Sequence, residues 1–281
     1  MSLSNQLHKG LKPLSTLLAD KFFLYSEGHL NIWRVFCRLW AATFAGPASF
    51  GMIFRDFAKQ IYFTSVRGVY ILIFVGLMLG LELILNTQQL AQMVKVPLEE
   101  YLGSLLATVV VRELAPVIAA LFVLIHSGGA IVSELGAMSV GGEIEALQVM
   151  GIDPYRYLGV PRFWAQTFSV ICLNFLVTFC AVASGYLFSQ IYTDISWYNF
   201  LHSFSNSLQP LDLGVSFLKA ALFGMVISTV AIYAGFESRG DMGEVAKKTA
   251  EGALFSLWLC GFVDFLIISA YQLYLVFYSN V

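Results

Sequence analysis

The side chains able to do chemistry in this 281-residue chain are few, and the informative ones stand where charge is expensive. Arg112, Glu113, Lys219 and Asp264 fall inside or beside long apolar tracts, and Glu82 ends the run "GLMLGLE". An ionisable group in such a tract faces a cavity or pairs with a partner, because an unpaired charge there costs several kcal/mol. Two readings of Glu113 stay open: a charge pair that fixes helix packing, or a group lining a polar cavity. Adjacent residues on an α-helix point about 100° apart, so Arg112 and Glu113 are expected on different faces. Asp264 is a candidate partner for Lys219 or Arg112, and Glu82 for the same cavity as Glu113.

Other chemistries are missing from the sequence. No GxxxxGK[ST] loop is present to cradle phosphates, and neither HExxH nor GxSxG occurs. The four histidines, His8, His29, His126 and His202, are scattered, and the four cysteines form no CxxC pair. No catalytic residue, cofactor or metal is therefore expected. Any ATP that drives this protein has to bind another chain. With 16 basic and 18 acidic side chains, nothing in the charge points to nucleic acid.

The elements that position these groups are membrane helices. Hydrophobic residues make up 58% of the chain and charged residues 12%, against about 25% charged in soluble domains, and the mean hydropathy is +0.75. Runs of about 20 apolar residues give five spans, near 69–85, 102–125, 163–191, 213–236 and 253–277. Arg112, Glu113 and Pro116 interrupt the second, which reads as a broken or re-entrant helix. Eight Lys and Arg precede the first span, two lie between the second and third, and three between the fourth and fifth; Lys95 stands alone on the other side. That asymmetry places the N-terminus in the cytoplasm and the C-terminus outside. The first residues lack the apolar core and small-residue site of a signal peptide. The fold class is an all-α integral membrane protein. Residues 1–60 form an N-terminal region and 61–281 a five-helix membrane domain.

Within the N-terminal region, "LNIWRVFCRLWAATF" carries aromatics at helical spacing with Arg34 and Arg38 one turn apart, the pattern of a helix lying in the headgroup plane. A sixth crossing is the alternative, against which the two arginines count. Small residues such as Gly76 and Gly80 mark close helix packing.

The segment "GGEIEALQVMGIDP" is a short helix held outside the apolar tracts. Gly141 and Gly142 open it, Glu143 and Glu145 put negative charge at its positive end, and Gly151 with Pro154 closes it. Ile144, Leu147 and Met150 form an apolar stripe. The helix either packs that stripe on its own bundle as a connector or docks it into a groove on a partner.

Residues 111–165 resemble the MlaE/YrbE permease family, the membrane subunits of ATP-driven Mce-type lipid transporters. The resemblance rests on Arg112-Glu113-Leu114 with Pro116, Glu134-Leu135-Gly136 with Met138, Glu143, Ala146-Leu147, Val149-Met150-Gly151, Asp153-Pro154 and Pro161-Arg162, in that order. Ala115, His126 and Glu82 depart from the family pattern, which has glycine, arginine and glutamine there. The resemblance implies an interfacial helix, five spans, a homodimer in a bacterial inner membrane, and a coupling helix at 142–150 that docks on an ABC-type ATPase. Glu143, Ile144, Glu145, Leu147, Met150 and Asp153 are the coupling candidates on that basis. It also implies phospholipid as cargo, an extracytoplasmic Mce partner, and a lipid cavity for which Glu113, Glu82, Leu79, Leu81 and Leu90 are candidates. The competing reading is a stand-alone ion-coupled secondary transporter with Glu113 or Glu82 as its proton site; no internal repeat supports it.

Overall fold

A computed structural model describes residues 31–44, 50–94, 103–193, 196–238 and 242–279, and among these every extended element is helical. Nine helices follow one another among the described residues. They are α1 (31–44), α2 (Phe50–Ile61), α3 (Val69–Val94), α4 (Gly103–Val140), α5 (Glu143–Val149), α6 (Val160–Thr193), α7 (Trp197–Ser207), α8 (Pro210–Glu237) and α9 (Met242–Ser279). Five of them, α3, α4, α6, α8 and α9, are long and apolar enough to cross a membrane. They correspond to the five expected spans, each extended at one or both ends.

The second span is neither broken nor re-entrant. Instead α4 runs continuously through two π-helical stretches, Leu106–Leu114 and Leu124–Gly128. The wider register of the first lets the chain pass Pro116 without a break. The Ala115 N–H reaches back five residues to Val110, and Pro116 opens the following α-helical stretch, where a missing N–H costs least.

Packing sets α8 at the centre, against α4, α6 and α9, while α6 also lies along α3. Gly76 and Gly80 give α3 and α6 their close approach: a Cβ on Gly80 would lie 2.0 Å from Ser184 Oγ and 2.3 Å from the Ala181 carbonyl oxygen. Along α9 most large apolar side chains, Trp258, Phe262 and Phe265 among them, are exposed among the described residues.

Two apolar cores result. One joins α3, α4, α6 and α8 through Leu72, Leu106, Leu173 and Phe223. The other, at the α5 end, joins α1 to α4, α6 and α8 through Leu39, Leu135, Phe163 and Ile232. On α1, Val35 and Leu39 are buried while Trp33 and Phe44 stay exposed. The helix therefore lies on the bundle by one side only, Trp40 packing on Trp164 at 5.6 Å and the Trp164 indole donating to Thr43 Oγ1 at 3.2 Å. Ahead of the first span, α2 begins at Phe50 and packs along α6, with Phe57 against Phe168.

Candidate functional site

Folding gathers the charges of the apolar tracts into one cluster. Lys219, on α8, is fully buried and places Nζ 2.5 Å from Glu113 Oε2 on α4 and 3.0 Å from Asp264 Oδ1 on α9. Arg112 lies 3.0 Å from Glu113 Oε1 through Nε, contrary to the expectation that the two residues would diverge. The π-helical winding of Leu106–Leu114 and the length of the arginine side chain bring the guanidinium back onto its neighbour. Its far side reaches Asp212 at 3.7 Å and the ring of Tyr271 at 5.1 Å, and Tyr271 donates to Asp212 Oδ1 at 2.6 Å. Asp212 also accepts from the Gln209 N–H, closing the first turn of α8.

The cluster thus ties three spans together through one ammonium. In a low-dielectric interior such pairs resist separation, because removing one partner strands a buried charge at a cost of about 3–5 kcal/mol. Asp212 and Tyr271 escaped the sequence reading: the first sits where a helix cap is expected after Pro210, and the second is one of several aromatics near the end of α9.

Glu82 is not part of this cluster. It is exposed on α3 and accepts from Asn86 Nδ2 at 3.0 Å. Leu79 packs against the main core and Leu81 is half-buried; the side chain of Leu90 lies outside the described residues. His126 is stacked between Phe63 and Phe122, with ring centroids 5.4 and 5.3 Å away.

A second candidate site is α5. Gly142 and Gly151 both adopt positive φ, 73° and 76°, which glycine takes without the steric cost met by other residues, so the helix is punctuated at both ends as expected. The expected apolar stripe divides. Ile144 is buried and Leu147 packs against the core at this end of the bundle, whereas Met150 is exposed and Val149 is 88% exposed. The inner pair holds α5 on the bundle and the outer pair stands free. Glu143 and Glu145 are exposed, as expected.

Asp153 works inward. Its Oδ1 accepts the Tyr155 N–H at 3.1 Å and lies 3.6 Å from the Arg38 guanidinium. Nearby, Arg162 and Glu134 meet at 2.8 Å, linking α6 to α4 just behind α5.

The permease MlaE family matches residues 57–270 of the chain. The intermembrane phospholipid transport system permease protein MlaE of Haemophilus influenzae is 26% identical over 210 residues, covering 74% of this chain and 80% of that protein. A probable ABC transporter permease protein of Rickettsia felis is 33% identical over 168 residues, covering 58% of this chain and 65% of its own length. The chloroplastic protein TRIGALACTOSYLDIACYLGLYCEROL 1 of Arabidopsis thaliana is 28% identical over 218 residues, covering 76% and 61%. The chain thus spans under two thirds of the length of some of these relatives.

Proposed function

Because the chain belongs to the MlaE permease family, we propose that it is the membrane subunit of an ATP-driven transporter that moves phospholipid, with ATP hydrolysed on a separate ABC-type ATPase chain. Its further partners on this reading are a second copy of itself and an extracytoplasmic Mce-domain protein. It sits in a bacterial inner membrane with its N-terminus cytoplasmic and its C-terminus periplasmic, the orientation that the Lys and Arg distribution favours.

The observation that carries the ATP-driven reading is the division of α5. A helix with Ile144 and Leu147 packed inward and Val149 and Met150 turned outward is built to receive force from a partner and pass it to the bundle. Nucleotide-driven movement of the ATPase would pull on the outer pair. The inner pair and the adjacent Glu134–Arg162 link would carry the displacement into α4 and α6. Farther along the same helix, Glu113 belongs to the Lys219 cluster, so movement of α4 also acts on α8 and α9. The lipid would lie against Glu113, Leu79 and Leu81, with Glu82 on the α3 surface that the chain leaves open, where a second copy would close the cavity.

The test is purification of the tagged protein expressed with its neighbouring genes, with mass spectrometry of the proteins and lipids that accompany it. An ATPase and an Mce protein in defined ratio with bound phospholipid is the expected result. The chain arriving alone and lipid-poor would favour the ion-coupled transporter instead.

A further inference from the structure

We propose that the recess between α1, the turn at Tyr155 and the C-terminal end of α8 binds a zwitterionic phospholipid headgroup, one carrying a phosphate and a primary ammonium. The recess has a volume of about 260 Å³, against roughly 10–15 Å³ for a space that holds one water. Its two walls carry opposite charge.

On the α1 wall, Asn31, Arg34 and Arg38 fall one turn apart on the side of the helix that faces the recess. Arg38 is fixed in place, its guanidinium 4.5 Å above the Tyr155 ring and 3.6 Å from Asp153, yet more than half of its side chain stays open. Among the described residues no carboxylate pairs with Arg34. Two guanidinium groups one turn apart are well suited to a phosphate, whose oxygens accept from their planar forks.

The opposite wall suits an ammonium. Glu237 is the last residue of α8, where the helix end carries partial negative charge. One of its oxygens lies 3.1 Å from Lys248 Nζ, and Tyr233 and Asn31 line the recess beside it. Phe236, packed against Tyr155 at 4.7 Å, adds an aromatic ring beside it, a surface that attracts cations. Primary N–H groups can donate to Glu237; a trimethylated ammonium cannot.

Depth agrees with this assignment. Trp33, Trp40 and Phe44 project from the same α1, and exposed aromatics of this kind mark the headgroup level of a bilayer. The site also touches α5: Arg38 holds Asp153, which follows α5, so an anion that draws Arg38 away loosens that contact. The inference rests on the proposed orientation, which places this end of the bundle at the cytoplasmic leaflet.

Native mass spectrometry of the purified full chain, loaded with lipids of identical acyl chains and ethanolamine, glycerol or choline headgroups, tests the assignment. The ethanolamine lipid should be retained best. Arg34→Gln should weaken the ethanolamine and glycerol lipids alike by about tenfold, as for one charged hydrogen bond. Glu237→Gln, with Tyr233→Phe as a second variant on the same wall, should weaken the ethanolamine lipid alone. Equal retention by wild type and all three folded variants would overturn the site, as would displacement of the retained lipid by inorganic phosphate, which would assign the recess to a soluble anion. Neither ATPase nor transport enters this readout, so it can fail while the ATPase still co-purifies, and the converse.

Discussion

Lys219 and Glu113, 106 residues apart, meet at 2.5 Å in the middle of the bundle, and the same ammonium lies 3.0 Å from Asp264. One fully buried cation thereby balances carboxylates from two other spans. Lys219→Met is expected to lower stability by about 3–5 kcal/mol, because it strips Asp264 of its cation and leaves Glu113 with Arg112 alone. Replacing all three together, Lys219→Met with Glu113→Leu and Asp264→Leu, should recover most of that loss. Thermal unfolding in detergent followed by size-exclusion fluorescence measures both. A triple variant no more stable than the single one would mean that packing, not charge, holds this junction.

The contact of α3 with α6 gives a second prediction. A Cβ at Gly80 overlaps Ser184 Oγ and the Ala181 carbonyl oxygen, and the carbonyl cannot rotate away. Gly80→Ala should therefore destabilise by roughly 1–3 kcal/mol, as over-packing does. Gly214, exposed on α8 with nothing within 4 Å of an added Cβ, provides the control. Gly214→Ala should be neutral or slightly stabilising in the same assay, since alanine favours helix.

The five spans were legible because twenty apolar residues have few other fates. Charges inside them were legible too, and so was the pairing of Asp264 with Lys219, one of the two partners named for it. What the sequence could not give was geometry that depends on distant packing. Arg112, Glu113 and Pro116 looked like a break in α4 because nothing local announces a π-helical stretch. The helices α2 and α7 were not among the expected elements, being short and flanked by stronger signals. For α5 the glycine punctuation was readable from residue type, while the side that packs inward was decided by α4, α6 and α1, which no seven-residue window contains.

Arg162 and Glu134 test how α5 is supported. Arg162 is largely buried, donating to the Leu158 carbonyl at 3.0 Å as well as meeting Glu134 at 2.8 Å, while Glu134 is more than half exposed. The two halves of the pair should behave differently. Glu134→Gln should cost about 1 kcal/mol or less, in the range of exposed pairs. Arg162→Ala loses packing and hydrogen bonds together and should cost about 2–3 kcal/mol. Unfolding midpoints of the two variants, compared with wild type, decide whether the asymmetry holds.

The division of α5 makes a prediction that a uniform docking stripe does not. If Val149 and Met150 are the contact with an ATPase, Val149→Asp and Met150→Asp should each abolish co-purification of that partner while the permease keeps its elution volume and melting temperature, since both side chains are exposed. Ile144→Asp should act differently, because a carboxylate forced under α5 is buried without a partner and should lower stability by several kcal/mol before any question of docking arises. Leu147→Asp, packed against the same core, should follow Ile144. Gly151→Ala adds a graded case: a non-glycine residue at φ 76° costs about 1–2 kcal/mol, and with nothing within 4 Å of the new Cβ that cost is conformational alone. The permease should stay folded with α5 frayed at its end, so that ATPase binding weakens without being lost. Measured together by pull-down and thermal unfolding, the variants sort by which side of α5 they touch. Loss of ATPase binding by Ile144→Asp alone, with Val149→Asp and Met150→Asp still binding, would place the docking surface elsewhere and leave α5 a connector within the bundle.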